Sequence, residues 1–527
     1  MKKLLILMIL LPLAAFGQTR PHWLQLQGRP LAYVSDYGAV GDGVTDDTDA
    51  IKAAVADLPS SGGIFYFGNG KTYLISSTIN FDQDNIIVDG GGSFITSAGS
   101  LGSSLFNRPL ILFSKINSAA KQTALGVDWS GDLQSNVVLK NMRAGGVFTG
   151  NPTTTAIDDS GNFAGPGSAI CFMKTKNFLV DNVHITSVPA HGFDIIGCIG
   201  NNTIRNSSIS IVRNHGIASS RSAPNFADRG VLTVDNVLME NIQKYAADFH
   251  QFNAGAQETG LVIANSKLLN IGMVTKNQAA LDGGVSTFLR VENNYIRQST
   301  VFAEQASPPY SLIIFDRAWN TKIIEGNIFF NVRSYVGLHE PRESGVIRYR
   351  GNQVTFGTPT ASEEQGLLFT GALASITPQL LVEISGNYIR GGVFLAKPIA
   401  STEHFIVGNN TWKTDRNSGI LGSTGPVGNF RFTNNTIIKD IDNAGNLFGF
   451  PNGSVGNQQS TTIQNNTFRI KDNTQTFGNF NSLPEDSISR LDGNTFITDK
   501  GGSVGELFGS IASLTLEVNN VVTSYTP

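Results

Sequence analysis

Along most of the chain, apolar residues alternate with polar ones over four to six positions, break at an asparagine, and then alternate again. Copies such as FLVDNVHI, LTVDNVLM, LRVENNYI, VEISGNYI and TTIQNNTF recur towards the C-terminus. Alternation with a period of two predicts half-buried strands. The copies align on Asn182, Asn206, Asn236, Asn265, Asn294, Asn327, Asn352, Asn387, Asn410, Asn435, Asn466, Asn494 and Asn520, at spacings of 23 to 35 residues, with Asn141 in the same role upstream. Propeller blades need about 40 residues or more per unit, leucine-rich repeats carry a leucine consensus, and a β-sandwich turns every 8 to 12 residues or so. The pattern therefore predicts an all-β chain: a right-handed parallel β-helix in which each coil lays down two or three short strands. Each strand pairs with its copy in the next coil, and the alternate apolar residues share one core. Asparagine suits such turns because it tolerates the left-handed conformation and because stacked asparagines bond along the axis. About 14 coils at ~4.8 Å give a rod of roughly 65 Å.

The pattern changes at both sides of residue 40. Residues 34 to 63 predict a cap: Thr45 to Thr48 hold helix-capping residues, Ala50, Ile51, Ala54 and Val55 form an apolar stripe at helical spacing, and Pro59 with Gly62-Gly63 ends the helix. A short amphipathic helix there covers the open end of the solenoid, whose core is otherwise exposed. Before it, Lys2 and Lys3 precede the apolar run Leu4 to Leu13, and Ala15 and Gly17 supply small residues for cleavage before Gln18. This predicts a signal peptide over 1–17, a single β-helix domain over 18–527, and a protein secreted or periplasmic. The apolar run is too short to span a bilayer, and no second one exists, so no membrane insertion is expected.

Composition agrees with many strands joined by turns: 57 of 527 residues are glycine and only 6 are methionine. A formal charge of −3 gives no electrostatic case for nucleic acid. Cys171 and Cys198 are too few to frame the fold, and the sequence leaves a bridge and two buried thiols equally open. Oligomeric state is not encoded in any motif.

The segment Asp36-Tyr37-Gly38-Ala39, Gly41-Asp42-Gly43, Thr45-Asp46-Asp47, Ala50-Ile51, Gly62-Gly63 resembles the N-terminal motif of the pectate-lyase-like superfamily of right-handed parallel β-helices. The resemblance covers about 40 residues. It implies the fold and leaves the chemistry wide, since the superfamily includes polysaccharide lyases, glycoside hydrolases, uronan epimerases and phage tailspikes. Asp42, Asp46 and Asp47 leave Ca2+ as the one candidate ion. Their spacing lacks the EF-hand pattern, and they read as turn and capping residues rather than metal ligands.

Chemistry is expected where ionisable residues fall in register on neighbouring coils. Aligning PAHGFDII, VRNHGIAS and KYAADFHQ on their turns stacks His191, His215 and Tyr245. Asp194, Ala218 and Asp248 form the next outward row, and Ile196, Ser220 and His250 the one beyond. His191, Asp194, His215, Asp248 and His250 are the candidate catalytic residues. Arg213, Arg221, Arg229, Lys244 and Tyr245 are the candidate substrate contacts. His191-Gly192-Phe193-Asp194 also resembles the active-site coil of mannuronan C5-epimerases and related alginate lyases. In that family a tyrosine stands at the position of His191, and a catalytic histidine at that of Ile196. A later Asp of the family falls near Ser220, so only Asp194 carries over. Uronan β-elimination needs a donor or cation for the carboxylate, a base for the C5 proton and an acid for the leaving oxygen. This face offers all three. A second, weaker cluster is the loop His339 to Ser344 with Glu304, Asp316 and Arg317. The reading is a secreted polysaccharide-active enzyme, a lyase or epimerase on uronate-containing glycans. A glycoside hydrolase, or a non-catalytic glycan-binding or surface-structural β-helix, is the alternative.

Overall fold

The computed structural model describes residues 28–99, 101, 109–116, 133–146, 168–220, 230–250, 259–271, 281–282, 288–298, 311–315, 321–332, 335–339, 345–357, 366–369, 380–391, 402–414, 421–422, 427–439, 448–449, 460–471, 478–479, 488–498 and 514–524. The chain is a right-handed parallel β-helix. Among the described residues the strand pairings are parallel and join a strand to its copy one coil later, as Gly200–Arg205 pairs with Gly230–Asp235 and that with Thr259–Ala264. A typical coil holds three strands: Gly200–Arg205, then Ser208–Val212, then Ile217–Ser220. The first two belong to one long sheet that bends at the asparagine turn. The third belongs to a separate stack of ten strands, running from Ile79–Phe81 to Gly366–Phe369.

The alternation fills the core in columns. Val180, Ile204, Val234, Ile263, Val291 and Ile324 succeed one another in register, all fully buried. In the ten-stranded stack, near the N-terminal end, the inward column is aromatic: Phe81, Phe113 and Phe172 stack at 5.3 and 4.9 Å between centroids. The cap is as expected. Helix Thr48–Ala56 buries Thr48, Ile51, Ala54 and Val55 against the first coils. The acidic turn residues spend their carboxylates locally. Asp47 accepts the N–H groups of Val40 and Gly41 at 2.7 and 3.0 Å, Asp42 those of Val44 and Thr45 at 2.9 and 2.7 Å, and Asp46 that of Thr48 at 3.0 Å. These bonds hold the Asp42 and Asp46 carboxyls below the ordinary carboxylate range, the Thr45 amide leading for Asp42 and the Ser76 side chain for Asp46. Among the described residues no three metal-ligating side chains converge. The loop does not fit a resident Ca2+.

The asparagine turn holds two structural positions where the sequence alignment has one. Asn141, Asn182, Asn206, Asn236 and Asn265 are left-handed, with φ of 52, 57, 50, 53 and 51°. In later coils that position is Asn293, Asn409, Asn434, Asn465 and Asn519, or a glycine. The residues aligned from Asn294 onward are the next position along. Ser266, not Asn265, lies over Asn294: its N–H donates to Asn294 Oδ1 at 2.9 Å. The slip of one residue is a correction to the alignment, and Asn-Asn pairs make it invisible to spacing alone. The second position forms a buried column of Asn294, Asn327, Asn352, Asn387, Asn410, Asn435, Asn466 and Asn494. Each backbone N–H and side-chain Nδ2 donate to the Oδ1 of the next, at 2.8 to 3.1 Å. A donor and an acceptor at fixed geometry satisfy backbone groups that the turn would otherwise bury unpaired.

Candidate functional site

The site is built where strands of the long sheet turn into the ten-stranded stack. Three coils carry that turn in register. Gly192 N–H donates to His215 O at 3.1 Å and Phe193 N–H to Gly216 O at 2.9 Å. One coil on, Gly216 and Ile217 N–H donate to Tyr245 and Ala246 carbonyls, both at 2.9 Å. The turns approach closely because of the glycines: a Cβ at Gly192 would lie 2.6 Å from Gly216 O, and one at Gly216 2.7 Å from Ala246 O. No real Cβ sits so near a carbonyl, so Gly at both positions permits the approach. The side chains just before these glycines then form a row. His191 and His215 rings are 5.0 Å apart at 58°, and His215 and Tyr245 5.1 Å apart at 79°, edge to face.

Beyond the glycine the strands run with Phe193 and Ile217 inward and the intervening residues outward. Asp194 pairs with Ala218, and Ala218 with Asp248, giving the expected second row. The two rows meet diagonally. His215 Nδ1 lies 3.0 Å from Asp248 Oδ2, one coil further on, with side-chain exposures of 13% and 15%. The approach is at ion-pair distance without the alignment of a linear hydrogen bond. It places the carboxylate at Nδ1 and turns Nε2 to the opposite side of the ring. The same diagonal recurs upstream: Ser168, in register with His191, donates from Oγ to Asp194 Oδ2 at 2.5 Å. Asp194 is 8% exposed, so its carboxylate is largely shielded by that contact.

The structure brings together His191, His215, Tyr245, Asp194 and Asp248. Arg213 and Lys244 flank them, half-buried on the same turns, with Lys244 N–H donating to Asn214 O at 3.0 Å. His250 is in register with Ser220 at the end of strand Ala247–His250. Arg221 and Arg229 lie outside the described residues, as do most of the 339–344 loop, Glu304, Asp316 and Arg317. His184 faces elsewhere: its Nδ1 is 2.8 Å from Ser208 Oγ and its Nε2 3.1 Å from Asn182 Oδ1. Burial, then the Arg143 charge, lowers its pKa.

Ser168 was not among the residues singled out in the sequence. Its separation from His191, 23 residues, is nearly the 24 that separates His191 from His215, and that spacing was the available signal. Cys171 sits in register beside Asp194, and it and Cys198 are both free thiols. Burial, reinforced by the Asp194 charge, raises the Cys171 thiol pKa well above its ordinary value, and loss of solvent pushes Cys198 up to about 12. Neither is a nucleophile at neutral pH.

Comparison with known proteins places this architecture. Residues 32–251 match the family described as Rhamnogalacturonase A/epimerase, pectate lyase-like; that span includes the cap and all three coils of the site. A non-secreted LysM effector of Penicillium expansum is 33% identical over 85 residues, which are 16% of this chain and 7% of that protein. Among solved structures, the ORF18 protein of Geobacillus virus E2 is 17% identical with a TM-score of 0.45, covering 64% of this chain and 61% of the viral one. The A-module of a mannuronan C-5 epimerase from Azotobacter vinelandii is 14% identical with a TM-score of 0.39, covering 94% and 99%. No helix among the described residues is long and apolar enough to cross a membrane. Its capping helix, its parallel coils and its match over residues 32–251 make the chain similar to the pectate-lyase-like parallel β-helix proteins.

Proposed function

We propose that this protein is an exported polysaccharide-active enzyme that acts on uronate-containing glycans by removing the proton α to the carboxylate, ending in elimination or epimerisation. The observation that carries the reading is the His215–Asp248 contact of 3.0 Å, set in a row of ring side chains. A carboxylate 3.0 Å from Nδ1 favours the tautomer with the proton on that nitrogen and leaves Nε2 to take one from the substrate. His215 is then the base for the C5 proton. His191 and Tyr245, its neighbours on either side, are placed to give a proton to the leaving oxygen, or to the opposite face of the sugar in epimerisation. Arg213 and Lys244 supply positive charge on the same turns for the uronate carboxylate. Residues 1–17, with their basic start and apolar run, support export.

One observation favours hydrolysis instead. Asp194 and Asp248 share an outward row with Ala218 between them, which sets their backbones about 9.6 Å apart at ~4.8 Å per coil. A backbone step of that size suits the wider carboxyl spacing of inverting glycosidases, roughly 6.5–9.5 Å, better than the roughly 5–5.5 Å of retaining ones. The hydrogen bond that shields Asp194 weighs against its acting as a water-activating base. A panel of uronans separates the readings. Elimination gives an unsaturated product visible by ultraviolet absorbance, hydrolysis gives reducing ends without it, and epimerisation gives neither but changes the proton NMR spectrum. His215→Ala should reduce conversion at least 100-fold with the fold intact. Absence of all three products, or full activity in His215→Ala, overturns the proposal.

A further inference from the structure

A second surface lies on the strand stack that leads into the site, further along the axis. In the coils from 288 to 414 two outward rows of that stack run side by side. One contains Tyr295 and, three coils on, Tyr388. The other runs Arg297, Phe330, a threonine, Arg390 and Lys413, one residue per coil. The residues between them, Ile296, Phe329, Ile389 and Trp412, are buried in the core, so the named side chains stand on the outer face. Phe330 is 44% and Tyr388 45% exposed, although single large apolar side chains so far out are few among the described residues. The remaining four positions of the two rows are isoleucine, glutamine and two threonines counting that already mentioned, so none of the ten is acidic. The chain as a whole has 38 basic and 41 acidic residues. Three aromatics and three cations on a flat parallel sheet, with no carboxylate, are a local reversal of that balance.

We propose that this stripe is a second binding surface for an extended anionic polysaccharide, holding the chain along the rod axis at a distance from the site. Aromatic faces pack against sugar rings, and Arg390 offers planar, paired donors to a uronate carboxylate, while Arg297, one amino group of which donates to Asn270 Oδ1 at 2.9 Å, adds positive charge along the same row. The column repeats every ~4.8 Å, so Arg297 and Arg390 stand about 14 Å apart with Phe330 between them. A ligand must be long, regular and negatively charged to use both. Phe330 lies three coils beyond the coil of Tyr245, on strands continuous with those that carry the site, so one glycan lying along the axis meets both surfaces. Stacking beside cations also suits single-stranded nucleic acid, but the net charge of −3 supplies no wider basic field to gather it. The choice of ligand class rests on the function proposed above; the existence of the surface does not.

The experiment measures affinity for polygalacturonate, alginate, a neutral glucan and single-stranded DNA by titration calorimetry, on the full chain and on Phe330→Ala/Tyr388→Ala and Arg390→Ala. Val44→Ala, at an exposed position of the cap, serves as a parallel control. The expected result is binding of a polyuronate at least tenfold weaker in the double variant and in Arg390→Ala, no binding of neutral glucan, and parental binding by Val44→Ala. These are exposed positions, so the thermal unfolding of the variants should match that of the parent. Unchanged polyuronate affinity in both stripe variants overturns the proposal. So does tighter binding of DNA than of polyuronate, a change only in self-association by sedimentation, or no polyuronate binding by the parent. If stripe variants lose binding while no uronan is converted by any form, the catalytic reading fails and the surface stands.

Discussion

Replacing Asn387 by alanine tests the buried asparagine column. Four hydrogen bonds disappear: Nδ2 to Tyr349 O at 3.0 Å, Nδ2 to Asn410 Oδ1 at 2.9 Å, and the two that Oδ1 accepts from Asn352, from N at 2.9 Å and Nδ2 at 3.0 Å. The losses are unequal. Asn410 Oδ1 keeps the Asn387 backbone N–H, and Asn352 Nδ2 keeps Ile324 O. Asn352 N–H loses the Asn387 Oδ1 acceptor, and the residue is 1% exposed, so water cannot replace it. One desolvated N–H costs about 1–3 kcal/mol, and the weakened amide and carbonyl about 1 kcal/mol more. We expect Asn387→Ala to lose about 3 kcal/mol. Urea unfolding followed by far-ultraviolet circular dichroism and by the fluorescence of Trp412, buried one coil away, measures the loss. Asn409→Gly is the control. Its φ of 57° suits glycine, and its effect should stay within about 1 kcal/mol. A loss below about 1 kcal/mol for Asn387→Ala, or equal losses for the two, would refute the assignment of the column as a satisfied buried network.

Asp248→Asn should leave the His215 ring in place but remove the carboxylate beside its Nδ1. Uronan conversion should fall about 100-fold or more; full activity in steady-state assays would show that the contact has no chemical role. Asp47→Ala removes the acceptor of two amide N–H groups at a 1% exposed position and should cost about 2–3 kcal/mol in thermal unfolding. Lys322 is fully buried in a column between Leu289 and Ile347, and burial lowers its pKa well below the usual lysine value. A base with a depressed folded pKa lets the unfolded chain bind the extra proton. Its penalty is therefore absent above the unfolded pKa and grows as pH falls below it. Lys322→Met should stabilise the protein at neutral pH and progressively less in alkaline buffer, as read from denaturant midpoints; a pH-independent gain would contradict this.

Much of this architecture was legible in the residues because parallel coils repeat one chemical decision many times. A single strand such as LTVDNVLM is ambiguous, but its alternation in register with IRYRGNQV and TTIQNNTF leaves few folds. The His191, His215 and Tyr245 row was readable for the same reason: Gly192, Gly216 and Ala246 mark one turn, and the residue before each must share a face. The asparagine column was placed one residue off for a physical reason. Two adjacent positions both favour asparagine, one for its left-handed backbone and one for its side-chain bonds, and in Asn265-Ser266 only the first is occupied by it. The Ser168–Asp194 contact was less legible: the 23-residue step from Ser168 to His191 was there to find, but a hydroxyl in a strand does not by itself mark a site. The aromatic and cationic stripe escaped for another reason. Its members are separated by whole coils of variable length, and only strand pairing brings Arg297, Phe330 and Arg390 into line.

The coil step makes the molecule a ruler. Strand pairing counts coils and ignores the loops between them, so loops can lengthen or shorten without moving any residue along the axis. Removing one complete coil between the turn of Tyr245 and Phe330 would shorten the distance between the two faces by ~4.8 Å and change nothing else in either. Evolution can thus set the length of glycan that engages both by adding or deleting whole coils, an adjustment in discrete steps that point substitutions cannot make.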